Sequence, residues 1–255
     1  MARALILILL LASTARAGVE THVTVRVLAH DAKLIGTFAG GVAVELTDAE
    51  TGRLLASGTH LGNTGSTDAI VREPWSRGHA IFDTDGAASF STTLDLDRPT
   101  RVLVSARGPL GFPTSQFAAS RQIVVVPGEH LDGNGVVLTL QGLIVDLLAP
   151  HAEATWPAGE TIRIAVGAKL LCTCPIEEDG LWDAADYQVH AELWRGDERR
   201  TRVELTFEET NVFAGELELP TLDEDENDAH EIRIVAGNPT TGNWGATHRA
   251  IRLSN

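Results

Sequence analysis

The sequence predicts an all-β protein of two tandem β-sandwich domains, and three observations predict it. Apolar residues alternate at period two along most of the 255-residue chain, no stretch of a dozen residues carries a 3.6-residue apolar stripe, and turn-forming clusters such as LDRP and VPGEHLDGNG separate the alternating runs. Many short half-buried strands divided by turns are what a sandwich requires, because each strand turns one face to the core and one to water.

The first element is not part of that fold. Residues 1–17, MARALILILLLASTARA, join Arg3, an apolar run from Ala4 to Ala12 and a small-x-small ending at Ala15-Arg16-Ala17. This is the pattern of a secretory signal peptide cut after Ala17, with an apolar run too short to span a bilayer. The expected location is therefore periplasmic or secreted, with no membrane span elsewhere. Thirty-five acidic residues against 20 basic give a formal charge of −15, and the cut removes Arg3 and Arg16 but no acid. A chain this acidic is repelled by phosphate backbones and anionic lipid heads, which argues against nucleic acid as a partner.

The first domain is expected over residues 18–148. Val23, Val25 and Val27 alternate with His22, Thr24 and Arg26, and Val42, Val44 and Leu46 alternate with Ala43 and Glu45. Further strands are expected at 88–94, 100–106, 121–126 and 135–140, with LDGNG at 131–135 read as a turn. Between residues 58 and 86 runs a long insertion with little alternation, and loops of that length in compact domains are commonly functional or disordered. It holds Trp75 beside Arg72, Arg77 and His79. Tryptophan and arginine are the residue types enriched where proteins grip partners, so these four are the candidate partner-binding residues, with an envelope protein as the expected partner.

The second domain is expected over residues 149–255, with strands near 161–173, 187–195, 201–207, 212–219, 230–236 and 247–253. The strand at 143–148 either closes the first domain or opens the second. Pro150 and Pro157 bracket a segment that suits neither a central strand nor a helix, which places the join near 148.

The stretch GGVAVELTDAETGRLLASG (40–58), with Thr51-Gly52 turning between two strands, resembles the opening hairpin of transthyretin-like, carboxypeptidase-regulatory or Cna-B type sandwiches. The long insertion departs from that pattern. The second half, with WRGDERRTRVELTFEETNVFAGELELP and the closing IRIVAGNPTTGNWGATHRAIRL, is similar to bacterial immunoglobulin-like domains. Both resemblances imply binding, spacing or adhesion more than catalysis.

The only cysteines are Cys172 and Cys174. Unbroken alternation from Ile162 would turn both sulfurs to the core, whereas one extra residue at Gly167 would turn them to solvent. Alternate residues of an extended strand lie roughly 6.5 Å apart at Cα, so a disulfide would need a bend. The pair is therefore open to three readings: a structural pair, buried or bridged; soft ligands for copper or zinc with His151 and His190 as further ligands; or a redox pair. His190 shares an outward parity with Glu192 and Trp194, which makes Trp194 the ring expected at the surface for a carbohydrate, a partner ranked below protein. DEDEND (223–228) could hold calcium but suits a solvated charge run. Neither G-x-S-x-G nor H-E-x-x-H nor a phosphate-binding glycine loop occurs.

The leading functional reading is a non-catalytic binding or accessory protein. A metal-handling protein is the alternative, and a thiol-disulfide or hydrolytic enzyme comes third.

Overall fold

A computed structural model describes residues 18–151, 155–222 and 229–254. The expected signal peptide and the DEDEND segment lie outside the described residues. Among the described residues every extended element is a strand, and no helix is long and apolar enough to cross a membrane.

The first unit contains β1 (Val19–Ala29), β2 (Val42–Asp48), β3 (Leu54–His60), β4 (Phe90–Leu96), β5 (Thr100–Gly108), β6 (Phe117–Val125) and β7 (Leu131–Leu140). They form two sheets, β3-β2-β5-β6 and β4-β1-β7, the second closed by parallel pairing of the first strand with the last. Period-two burial follows the sequence: Val42, Val44 and Leu46 of β2 face the core with Val102, Val104 and Ala106 of β5, against Val23, Val25 and Val27 of β1. Removing Leu46, fully enclosed there, to alanine costs about 2–5 kcal/mol in transfer and cavity energy. The β2–β3 turn forms at Thr51-Gly52 as expected. Gly52 adopts φ 72°, and the Asp48 carboxylate accepts the backbone N–H groups of Glu50 and Thr51 at 2.9 and 3.1 Å, which hold its pKa below the usual range.

LDGNG is a bulge inside β7, not a turn. Val23 pairs with Leu131 and Val25 with Val136, so extra residues of β7 bow outward between them, and Gly133 and Gly135 take φ of 66° and 59°.

The second unit contains β8 (Leu143–Ala149), β9 (Thr155–Pro157), β10 (Thr161–Leu170), β11 (Gln188–Arg195), β12 (Glu198–Glu209), β13 (Val212–Glu218), β14 (Ala229–Asn238) and β15 (Asn243–Ser254). The order is β8-β10-β13-β12-β11-β14-β15-β9. Strand β12 links two layers: through Leu205 it pairs with β11, and from Thr206 with β13. Ile164 and Phe213 on one side meet Val189, Leu193, Ile232 and Ile234 on the other. Strand β9, which had no counterpart in the sequence reading, is a three-residue edge added in parallel to β15 and ending at Pro157, a position proline tolerates.

Strand β8 pairs with β10, so backbone pairing changes from one unit to the other at Gln141-Gly142, ahead of the join expected near 148. Gly142 sits there at φ 139°, where a Cβ would collide with the Phe117 ring. The two units share a single apolar core cluster, which runs from Ala29, Ala32 and Ile35 to Trp182, Ala184 and Tyr187.

Candidate functional site

The turn that follows β1 carries the site. His30 N–H donates to Leu140 O at 2.9 Å and Ala29 N–H to Lys33 O at 2.9 Å, which closes a tight reversal over His30-Asp31-Ala32. Asp31 occupies the left-handed region at φ 54°, where aspartate is among the few side chains tolerated. A cleft of about 340 Å³ opens beside it, lined by His30, Asp31, Ile70, Val71, Trp75 and Thr139, with Leu28 and Ala32 at its base.

One wall is the 58–86 insertion, which is ordered around a small core of its own. Leu28, Leu34, Ile70, Phe82 and Ala88 bury one another beneath a π-helical turn, Asp68–Arg72. The Asn134 side chain, on the β7 bulge, accepts from Phe82 N at 3.0 Å and donates to His79 O at 2.7 Å. Beneath lies Arg26, whose side chain is 5% exposed; it donates to the carbonyls of Gly133, Ala87 and Ala88 and pairs with Asp83 at 2.7 Å. Burial lowers its pKa against the raising influence of Asp83. At the root of the insertion His60 is wholly buried. Its Nε2 accepts Val27 N–H at 3.1 Å, which leaves the proton on Nδ1 to donate to Ile35 O at 3.0 Å. Burial drives its pKa down to about 4.

Trp75 remains 55% exposed on this frame. Its indole N–H is spent on Ile70 O at 3.0 Å and its ring packs edge-to-face with Phe82, centroids 5.4 Å apart, so the ring is held where it lines the cleft. Of the residues grouped with it in the sequence, Arg72 is exposed and paired with Asp68 at 2.8 Å, Arg77 is exposed, and His79 borders a neighbouring hollow of about 420 Å³ on the same insertion.

Behind the Asp31 turn stands the segment that follows the cysteines. Trp182 donates its indole N–H to Asp31 O at 2.8 Å, and Tyr187 is buried beside it. Burial, then the charges of Asp31 and Asp186, push the Tyr187 phenol well above its ordinary pKa. Burial also raises Asp31, with His30 opposing and Asp186 adding to the rise. The turn into β15 and its first residue complete the junction: His30 Nε2 faces Thr241 O at 3.1 Å, and Asn243 accepts from Gly142 N at 2.6 Å and donates to His30 O at 3.4 Å. The insertion that carries Trp75 and the segment that follows the cysteines thus meet on opposite sides of one turn. His30, Asp31, Asp186 and Tyr187 were missed, because a His-Asp pair after a strand reads as an ordinary turn.

Cys172 and Cys174 are buried, 1% and 6% exposed, and joined in a disulfide with Cα atoms 5.3 Å apart. The strand ends at Leu170, and Thr173 at φ 64° supplies the bend that brings the two together. Bridged sulfurs are not thiolate ligands, so the soft donors of the metal reading are absent in this form. Neither of its imidazoles joins them: His151 is exposed after β8, and no group of three or more His, Cys, Asp or Glu able to hold a metal occurs among the described residues.

His190 stands instead on the outer face of β11, with Nε2 3.9 Å from Glu192. Burial, then the charge of Arg202, lowers its pKa. Burial pushes Glu192 up, but hydrogen bonds from Trp194 at 2.8 Å and Arg199 at 2.9 Å, with the charges of Arg199 and His190, hold it below the usual range. Trp194, expected at the surface, is half-buried under Arg233, whose guanidinium lies 4.4 Å from the ring centroid. The more exposed ring is Trp244. This face is a cross-strand ladder of compensated charges. A wider depression of about 550 Å³ on the outer face of β2, β5 and β6 is floored by Ala43, Ser105, Ala118 and Ser120, and contains none of the candidate binding or metal residues.

No protein-family model matches the chain, and no curated protein is similar to it in sequence. Solved structures match only distantly. An engineered protein shares 11% identity at a TM-score of 0.32 over 51% of this chain, which spans 24% of that protein's length. A DUF3823 family protein from Bacteroides ovatus shares 11% at 0.32 over 92% of this chain and 100% of its own. The fibronectin(III)-like modules of Clostridium thermocellum CbhA share 13% at 0.26 over 94% and 90%. Scores this low support no transfer of function, and the β-sandwich assignment rests on the strand pairing described above.

Proposed function

We propose that the protein is a non-catalytic binding module of the periplasm or extracellular medium, and that it holds an envelope protein partner in the cleft between Asp31 and Trp75. The observation that carries this reading is the convergence of the 58–86 insertion and the 172–187 segment on the Asp31 turn. Ligand sites favour concave surfaces at domain junctions, framed by rigid apolar walls with a few polar groups. Two clusters of buried residues frame this cleft, and a half-exposed tryptophan at its mouth is the kind of anchor that dominates interfaces. The sequence resemblance to transthyretin-like and immunoglobulin-like domains supports the same reading, as does the seven-stranded closure of the first unit.

A photo-crosslinking phenylalanine analogue placed at position 75, in cells exporting the protein, tests it. A discrete adduct is expected from position 75 and none from Val124, an exposed site on β6 of the facing sheet. Equal adducts from both positions, or none from position 75, would refute the reading.

A further inference from the structure

We infer that a segment of the protein partner enters as an extended strand and pairs with the free edge of β6 at Ala118 and Ser120; this deepens the binding role proposed above and rests on it. Backbone direction decides which groups of β6 are free. Ala49 N–H donates to Arg101 O at 2.8 Å, so the odd-numbered residues of β5 turn their backbone groups to β2 and the even-numbered ones to β6. Their partners on β6 are Phe117, Ala119, Arg121, Ile123 and Val125. The N–H and C=O groups of Ala118, Ser120, Gln122 and Val124 therefore point away from the sheet. On that side β6 has no second strand neighbour, and no hydrogen bond among the described residues reaches them.

The shape of the surface selects one half of that edge. The cleft beside Asp31 shares His30 and Thr139 with a hollow of about 430 Å³ that is also lined by Phe117, Ala118, Ala119 and Gln141. Ala118 and Ala119 lie on opposite faces of the strand, so a hollow that touches both sits at its margin, beside the outward-pointing backbone. It shares those two alanines in turn with the depression of about 550 Å³ over Ala43, Ser105 and Ser120. One groove thus runs from Trp75 past His30 to Ser120, and stops about 13 Å short of Val124. Residues 117–120, FAAS, carry no charge and no proline, the devices that close an edge to other strands, and the first charge, Arg121, stands exposed where the groove ends. An extended segment suits this path because it supplies a backbone donor and acceptor at every second residue, while its side chains alternate between the two sheet faces. A second copy suits it poorly, since two chains of formal charge −15 repel.

The test is hydrogen–deuterium exchange, resolved to single residues by fragmentation in the mass spectrometer, on the adduct captured at position 75 and on the same protein before capture. Capture is expected to slow the amides of Ala118 and Ser120 about tenfold or more and to leave those of Gln122 and Val124 unchanged. Ser120→Pro removes one outward N–H, keeps the bonds to β5 and is expected to cut the yield of adduct about fivefold. Gln122→Pro, which removes the equivalent N–H beyond the groove, is expected to leave the yield unchanged. Near-UV circular dichroism checks that both variants keep the fold; should either unfold, the exchange measurement, made with β6 unaltered, decides alone.

Unchanged exchange at Ala118 and Ser120 in the adduct would overturn the inference and leave the binding role standing. Equal losses of adduct in folded Ser120→Pro and Gln122→Pro would overturn it as well, since the effect would no longer follow the groove. So would an adduct of twice the protein's own mass, which would put a second copy in the groove. If position 75 captures nothing, the binding role itself falls and the inference with it.

Discussion

A histidine sealed between Val27 N–H and Ile35 O cannot take a proton without losing its bond from Val27, so His60 ties stability to pH. Its pKa is depressed from 6.5 to about 4 by burial, and the unfolded chain therefore binds the extra proton first as pH falls. The stabilisation is complete above pH 6.5 and is lost progressively down to about pH 4, a total of about 3 kcal/mol. Urea unfolding across that window is expected to show this loss, and His60→Gln to flatten the slope while lowering stability at pH 7. Thr173 makes a second residue-scale case. A β-branched side chain at φ 64° pays about 1–2 kcal/mol that asparagine largely avoids. Thr173→Asn is expected to raise the urea midpoint by the equivalent of about 1 kcal/mol, and an unchanged or lower midpoint would show that contacts of the threonine offset its backbone cost.

At the scale of elements, a bulge in one strand holds an insertion in another part of the fold. β7 bows out at Gly133 and Gly135, which lifts Asn134 to meet the Phe82 N–H and the His79 carbonyl and places Gly133 O over Arg26. Asn134→Ala removes both side-chain bonds at a cost of about 1–3 kcal/mol. Because those bonds act on the insertion, amide exchange at Phe82 is expected to quicken while the amides of β2 and β5 keep their protection. Uniform quickening would instead mean that the insertion and the sandwich open together.

At the scale of the molecule, the two units are joined more closely than a linker would join them. Trp182 reaches from one unit to the Asp31 carbonyl of the other, Val145 N–H donates to Ser115 Oγ at 3.3 Å, and the Lys169 ammonium lies 4.5 Å from the Phe112 ring centroid. With one apolar core running through both, thermal unfolding followed by far-UV circular dichroism and by tryptophan fluorescence is expected to give one coincident transition. Trp182→Ala empties a buried site at the junction, costs about 3–5 kcal/mol, and is expected to split that transition in two. A single transition in this variant would assign the coupling to the Phe112–Ser115 contacts instead.

Period two in the sequence was enough to locate nearly every strand, because the pleat forces alternate residues to opposite faces and water penalises an apolar residue on the outer one. Turn chemistry at Thr51-Gly52 was equally legible, being a local matter of φ and one side-chain cap. Sheet membership was not: β8 pairs with β10 and β12 serves two layers, and those choices depend on partners far along the chain. The cysteines show the same limit, since the bend at Thr173 that joins them breaks the alternation from which their placement was read. The sequence by itself determined that the chain is all-β, that it is strongly acidic, and that residues 58–86 depart from the strand pattern. Only the tertiary structure decided that this insertion and the segment after the cysteines meet at the Asp31 turn, because contacts between residues so far apart along the chain leave no local pattern in it.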